Sequence, residues 1–193
     1  MSVVDRWMAT NSGIHSIRID FTQTRTMRSI KMPIRQSGSL WLNYGSNQFR
    51  WQVGDPAQTI VTKFRGNLFI IRTQMKKYEK RAAGSGDVPP GLMAMATGFP
   101  RSTSEFQRKY SVQTIEVVGS AFRIVTQPKG QEGRGVKTFI FMVGRDDYRL
   151  RGMEIYLDDG SFVKTAFDRV IPNIGLPGDL FTPDLTGYKE TKF

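Results

Sequence analysis

Few side chains in this chain of 193 residues could carry out chemistry. There is no cysteine and one histidine, His15, which excludes thiolate chemistry, a disulfide framework and a metal site built on several histidines. A serine–histidine–aspartate triad would have to use His15, and no partner stands at a spacing that points to one. The nearest approach to a polar cluster is His15 with Asp20 and Gln23 at the start of the chain. An enzymatic function would have to depend on these three residues.

Acidic side chains occur in two pairs, Asp146–Asp147 and Asp158–Asp159, in short polar stretches beside glycine, serine or arginine. Aspartate favours tight turns because its carboxylate bonds nearby backbone N–H groups, so turn chemistry accounts for both pairs. The chain contains no Gly-x-Ser-x-Gly nucleophile elbow, and the glycines of 130–135 lack the lysine and hydroxyl of a phosphate-binding loop. We therefore expect no enzyme, no catalytic residue, no cofactor and no metal ion.

The chain is strongly basic, with a net charge of +11. This charge favours an acidic partner, which could be a nucleic acid, an anionic lipid or an acidic protein. The basic residues are spread along the chain, however, and the aromatic residues do not interleave with them as an RNA-binding surface requires. We therefore expect a solvated basic face and no nucleic acid.

Apolar and polar residues alternate over most of the chain, and this period of two predicts β-strands. Ile17, Ile19 and Phe21, for example, point to one face of such a strand. Turn residues separate the runs, which predicts about ten or eleven antiparallel strands joined by hairpins. A sheet of that length curls into a barrel or half-barrel because its twist accumulates. The strands are predicted near 14–25, 34–44, 47–54, 58–64, 67–73, 77–81, 111–118, 121–127, 136–143, 149–158 and 161–170.

Helical patterns occur at the start of the chain and in its middle. Residues 3–11 form a short amphipathic helix. Residues 91–99 are nearly all apolar, and a second short helix begins near Thr103. A helix as hydrophobic as 91–99 must be buried, and the mouth of the curled sheet is the place for it. We expect one domain, 1–193, with this helical insertion at about 88–109.

Residues 38–44 and 48–53 carry apolar side chains on both faces of two predicted strands. A strand with one face in water alternates, so both faces here must be covered by a helix, a second sheet or a ligand. The nine methionines, three of them in or beside the central insertion, suit a surface that accepts ligands of varied shape. An ordinary two-layer core would produce the same sequence pattern. On these grounds a ligand-binding surface and a packed core both stay open as interpretations.

The first ten residues lack the charged start and apolar run of a secretory signal, so we expect an exported form to have had its signal removed. No run of about 18 apolar residues occurs, which predicts that no segment spans a membrane.

Short motifs follow one another in a characteristic order. They are Phe21-x-Gln23, Gly38-Ser39-Leu40-Trp41, Phe49-Arg50-Trp51, Asp55-Pro56, Phe139 to Val143 before Arg145-Asp146, and Phe167 before Phe181-Thr182-Pro183. In this order they resemble the outer-membrane lipoprotein carrier (LolA-like) family. The resemblance covers the chain from about Ile14 to Pro183, and the order of the motifs is more specific than any one of them.

The resemblance implies a mainly β (α+β) fold, an unclosed antiparallel β-barrel with a helical lid over an apolar cavity. It implies a periplasmic carrier that shuttles lipoprotein acyl chains, or another lipid, between an inner-membrane donor protein and an outer-membrane acceptor protein. We expect such a carrier to be a monomer. Its lipid-binding residues are expected on the strands of the cavity wall and in the lid: Trp41, Phe49, Trp51, Phe69, Leu92, Met93, Met95 and Phe99.

The chain departs from the family in the turn at 43–47. In the best-studied family members an arginine that follows the Leu-Trp strand hydrogen-bonds the lid shut. The corresponding turn here, Asn43-Tyr44-Gly45-Ser46-Asn47, is one residue longer and has no arginine. Related LolA-like domains export lipids or sense envelope stress. The alternative function is therefore a LolA-like binding or sensor module that does not transfer its cargo.

Overall fold

The computed structural model describes residues 1–29, 32–82 and 99–191. Within these ranges the chain forms twelve strands in one sheet, two α-helices and one 3-10 helix. The helices are α1 (Val3–Asn11), α2 (Thr103–Lys109) and the 3-10 helix Gly130–Gly133. The strands are β1 (Ser16–Thr26), β2 (Ile34–Asn43), β3 (Gln48–Val53), β4 (Thr59–Phe64), β5 (Asn67–Arg72), β6 (Lys77–Ala82), β7 (Tyr110–Val118), β8 (Ala121–Pro128), β9 (Val136–Gly144), β10 (Leu150–Leu157), β11 (Phe162–Pro172) and β12 (Lys189–Glu190).

The sheet is built from two runs of consecutive hairpins that meet at β1 and β11. Its strand order is β12-β6-β5-β4-β3-β2-β1-β11-β10-β9-β8-β7, and every neighbouring pair is antiparallel except β12 with β6. The sheet is not closed, since β12 and β7 form its two edges. The expected fold, a mainly β, unclosed antiparallel sheet with an N-terminal helix, is confirmed. Residues 91–98 of the apolar helix predicted at 91–99 lie outside the described residues.

Helix α1 begins at a capping box. The Ser2 hydroxyl accepts a hydrogen bond from the Asp5 backbone N–H at 3.1 Å, and the Asp5 carboxylate accepts one from the Ser2 backbone N–H at 2.9 Å. The buried face of the helix centres on Trp7, whose ring packs against Phe141 of β9 at 4.9 Å and Phe106 of α2 at 5.6 Å. Both helices therefore lie on the same side of the sheet.

The two faces of the sheet can be followed from the strand register, because residues directly opposite one another on neighbouring strands share a face. We call the side that α1 covers the inner face; Ile19, Leu40 and Val61 lie on it and are buried. The opposite side, the outer face, carries Trp41 and Thr62. The core is the inner-face cluster of aliphatic and aromatic side chains contributed by β1–β5 and β8–β10.

The segment that follows β11, which we call the C-terminal segment, covers the outer face of β3 and β4. Phe181 is only 2% exposed. Its backbone carbonyl accepts a hydrogen bond from the Thr62 hydroxyl at 2.8 Å, while the Arg50 guanidinium donates to the Leu180 carbonyl at 3.2 Å. The segment then adds β12 to the edge strand β6, an unexpected twelfth strand. The second cover over these strands is thus an extended piece of the same chain.

One glycine permits a close approach on the inner face. The ring of Phe21 lies over Gly38, where an added Cβ would stand 2.7 Å from the Phe21 Cζ atom and would also collide with the Gln52 carbonyl. The same ring stacks on Trp51, with 6.1 Å between ring centroids. Gly38 therefore allows β1 and β3 to make an aromatic contact across β2.

Candidate functional site

A cavity of about 250 Å³ lies on the inner face between β1, β11 and the C-terminal end of α1. Apolar side chains form its wall, and exposed polar residues such as Asn173 and Arg149 stand at its rim, as in many small-molecule sites. The apolar lining residues are Ile14, Ile17, Ile19, Phe99, Leu150, Phe167, Val170 and Pro172, and the polar ones are Thr10, Asn11, Tyr44, Arg149 and Asn173.

A β-bulge shapes the wall that β11 contributes. Ile19 of β1 pairs with Val170, but Phe21, two residues along, pairs with Phe167, so β11 has one extra residue there. Side chains alternate along a regular strand, and Phe167 and Val170, three residues apart, would point to opposite faces. The bulge turns both toward the inner face, where both line the cavity.

The rim of the cavity is held together by Asn173. Its side-chain carbonyl accepts a hydrogen bond from the His15 backbone N–H at 2.8 Å, and its amide donates to the Gly13 carbonyl at 3.2 Å. Asn173 adopts a positive φ of 55°, a conformation that asparagine tolerates better than most residues. The loop between α1 and β1 is thereby attached to the end of β11.

Tyr44 closes the cavity on the side of β2. Burial raises the pKa of Tyr44 to about 12, although a backbone hydrogen bond with Phe99 and the positive charge of Arg101 act in the opposite direction. The Arg101 guanidinium lies over the Tyr44 ring at 4.9 Å and donates to the Ser12 carbonyl at 2.9 Å. The turn that lacks an arginine of its own thus receives one from the segment before α2.

The predicted lipid-binding residues fall into four groups. Phe49 and Trp51 lie on the inner face but do not line the cavity, whereas Phe99 lines it and packs against Phe167 at 5.9 Å. Trp41 and Phe69 lie on the outer face, where Trp41 packs beneath Arg18 and Phe69 contacts Tyr78. The lid residues Leu92, Met93 and Met95 lie outside the described residues.

Sequence reasoning did not select Tyr44, Phe167 or Val170. The alternation of β1 already marked Ile17 and Ile19 as one face. Knowledge of the register between β1 and β11 would also have identified the residues opposite them on β11. The bulge that turns Phe167 inward leaves no signal in the sequence.

The three polar residues considered for catalysis do not converge. His15 is exposed, Asp20 lies on the outer face bonded to Ser39 and Arg18, and Gln23 is buried on the inner face against Thr165 at 3.3 Å. In residues 1–29, 32–82 and 99–191 no three acidic or histidine side chains are grouped as metal ligands. No helix in those ranges has the length and hydrophobicity needed to cross a bilayer.

An open antiparallel sheet holds an apolar cavity beside a helix on one face, and this arrangement suits the binding of an apolar ligand. The family described as outer membrane lipoprotein carrier protein LolA matches residues 12–184, and the chain belongs to this family.

Solved structures show the same fold at low sequence identity. An uncharacterised conserved protein from Thermus thermophilus has a TM-score of 0.58 and 7% identity, with 98% of this chain and 96% of that chain covered. The lipoprotein LppX from Mycobacterium tuberculosis has a TM-score of 0.50 and 10% identity, with 91% and 96% covered. No curated protein matches the chain.

Proposed function

We propose that this chain is a periplasmic carrier that binds the acyl chains of lipoproteins, or another lipid, on its inner face. It would receive this cargo from an inner-membrane donor protein and deliver it to an outer-membrane acceptor protein, without enzymatic activity. The observation that carries the proposal is an apolar cavity on the inner face of a member of the lipoprotein-carrier family. Residues 1–193 would act as one domain and as a monomer.

The volume of the cavity determines how much free energy the burial of an acyl chain contributes. An engineered protein cavity of about 150 Å³ accommodates benzene, which has six carbons, so 250 Å³ corresponds to about ten carbons of an acyl chain. At roughly 0.8 kcal/mol per CH₂, their burial contributes about 8 kcal/mol before the cost of ordering the chain. A bilayer offers a similar gain per CH₂. For the roughly ten carbons that the cavity holds, transfer in either direction is then nearly balanced.

Trp51 gives the inner face a polar group for such a cargo. Its indole Nε1–H is buried and has no acceptor among the described residues. An unpaired buried donor costs about 1–3 kcal/mol, and the ester carbonyl of an acylated ligand would relieve that cost. Trp7 also has a buried Nε1–H without an acceptor in the described part of the chain, but the whole Trp7 side chain is buried, whereas the Trp51 side chain is partly exposed.

The expected lipid-binding residues take unequal parts in this proposal. We assign Phe99 to the cavity wall, Phe49 and Trp51 to the adjoining inner face, and Leu92, Met93 and Met95 to the lid. For Trp41 and Phe69, which lie on the outer face, we propose no direct contact with the cargo.

Native mass spectrometry of gently purified protein tests the proposal. Protein-bound masses of acylated molecules are expected, and their transfer to acceptor vesicles should follow when the loaded protein is mixed with them. Loaded protein that never releases its cargo would instead favour the sensor or binding module. Protein that takes up no acylated molecule from donor vesicles would refute both.

A further inference from the structure

The cavity carries a positive charge at its rim. Of the described residues that line it, Arg149 is the one with a charged side chain. Arg149 directly precedes β10 and is exposed, so it stands between the apolar wall and the solvent. A ligand whose acyl chain lies along the wall would place its head group in this region.

The turn between β9 and β10 holds the backbone of Arg149 in place. The Arg149 N–H donates to the Asp147 carboxylate at 3.1 Å, and the Arg149 carbonyl accepts a hydrogen bond from the Gly144 N–H at 2.8 Å. The second oxygen of Asp147 accepts a hydrogen bond from Arg151 at 2.6 Å. Leu150, the next residue, is buried and lines the cavity. The guanidinium of Arg149 therefore extends from a hydrogen-bonded turn whose Asp147 carboxylate already pairs with another arginine.

The Arg149 guanidinium itself has no hydrogen bond, ion pair or aromatic contact within the part of the chain that the structure describes. The arginines around it differ in this respect. Arg6 donates to a tyrosine hydroxyl of the turn at 3.0 Å, Arg151 pairs with an aspartate, and Arg101 donates to a backbone carbonyl at 2.9 Å. Arg149 therefore keeps all of its N–H donors available for a ligand.

The other polar groups of the rim are already paired. Each remaining polar side chain among the described lining residues is hydrogen-bonded to the backbone: Thr10, Asn11, Tyr44 and Asn173. The carbonyls of Ser12 and Gly13, just beyond α1, would repel an anion if they were free, but each accepts a hydrogen bond. The rim thus offers unpaired donors at Arg149, and these donors fit an anionic head group.

We propose that the cavity binds free fatty acids, with the carboxylate at Arg149 and the hydrocarbon chain along the apolar wall. A guanidinium suits a carboxylate because the two groups can form a pair of parallel, charge-assisted hydrogen bonds. The volume of 250 Å³ accommodates about ten carbons, so a chain of that length would leave its carboxylate at the rim. This inference rests on the proposed function, since it requires the cavity to hold the acyl chain.

The test compares decanoic acid with decan-1-ol, which has the same chain length but no charge. Calorimetric titration at about pH 8, where the carboxyl group is ionised, measures both affinities. The wild-type protein is expected to bind decanoic acid at least fivefold more tightly than the alcohol. Arg149→Gln should abolish most of this preference and leave the affinity for the alcohol unchanged, whereas Arg149→Lys, which keeps the charge, should retain part of the preference.

Arg145→Gln is the matched control. Arg145 is also exposed in the turn between β9 and β10, but it does not line the cavity. This variant therefore loses the same charge from the same turn and should keep the preference for decanoic acid. Equal losses in Arg149→Gln and Arg145→Gln would show a general effect of charge and would overturn the inference.

The remaining outcomes separate this inference from the function on which it rests. Equal affinities of the wild-type protein for the acid and the alcohol, or an undiminished preference in Arg149→Gln, overturn the inference and leave an acyl-chain carrier standing. Binding of neither ligand refutes the cavity as an acyl-chain site, and the proposed function with it. Decyl phosphate that binds at least tenfold more tightly than decanoic acid would overturn the carboxylate assignment in favour of a phosphate head group.

Discussion

Filling the cavity should abolish acyl-chain binding without unfolding the protein. Val170 lines the cavity and is only half-buried, so a larger side chain can extend into the empty space instead of into packed atoms. Val170→Trp adds seven non-hydrogen atoms. On the scale in which six carbons occupy about 150 Å³, the indole takes up more than half of the 250 Å³.

The loss of affinity follows from that volume. A ligand that can no longer bury about six carbons loses roughly 5 kcal/mol, at about 0.8 kcal/mol per CH₂. Because 1.4 kcal/mol corresponds to a factor of ten in the dissociation constant, the largest loss of affinity is more than a thousandfold. We expect a loss of at least a hundredfold, since part of a displaced chain finds other apolar surface. Val170→Phe, which adds four atoms, should give an intermediate loss.

Calorimetric titration with dodecanoic acid measures this effect, and thermal unfolding shows whether each variant is folded. Val125→Trp is the matched control, because Val125 is also a half-buried valine but faces away from the cavity, on the side of β8 opposite Ile124. A folded Val170→Trp protein that binds dodecanoic acid as tightly as the wild type would show that acyl chains bind elsewhere. Equal losses in both tryptophan variants would show that the effect is not local to the cavity.

Three further substitutions test other parts of the structure. Gly38→Ala should lower the free energy of unfolding in urea by about 2–3 kcal/mol because its Cβ collides with Phe21. Gly13→Ala, whose Cβ meets nothing within 4 Å, should be nearly neutral. Similar losses of stability at both sites would contradict this packing. Tyr44 keeps its proton in the folded state up to about pH 12. Its contribution to the free energy of unfolding is therefore present below pH 10 and is lost between about pH 10 and 12, by up to roughly 2–3 kcal/mol. Tyr44→Phe should flatten that decline, and an unchanged pH profile would refute the assignment. Phe181→Ala should destabilise the protein by about 3 kcal/mol and leave dodecanoic acid binding intact, because the outer face is remote from the cavity; lost binding in the folded variant would count against that separation.

Much of the fold could be predicted because the chain alternates so regularly. The period of two in β1 separates Ile17 and Ile19 from Arg18 in the sequence just as the sheet does. What alternation does not reveal is which of two faces is the inner one. Trp41 and Phe49 both looked suited to a cavity wall, and only the register places Trp41 outside and Phe49 inside.

The cavity itself was less predictable, for two physical reasons. It depends on the β11 bulge, which changes the direction of Phe167 through one unpaired backbone residue and not through any residue type. It also depends on long-range pairing, since Tyr44, Phe99 and Val170 come together from distant parts of the chain. The apolar side chains on both faces of β2 and β3 predict cover on both faces. Part of that cover is Phe181, and nothing local to β3 or β4 indicates where the C-terminal segment runs.

The meeting of two hairpin runs at β1 and β11 has a consequence for how the protein folds. Most neighbouring strands are close in sequence and can pair early, but the β1–β11 ladder joins residues such as Gln23 and Thr165, which are 142 positions apart. Closing so long a loop costs more entropy than closing a hairpin, so we expect the two halves of the sheet to form first and to dock last. Until then β1 and β11 are both open edges, and either can pair with another copy of the chain. The strands that line the cavity are therefore also the strands at which we expect folding to be most exposed to aggregation.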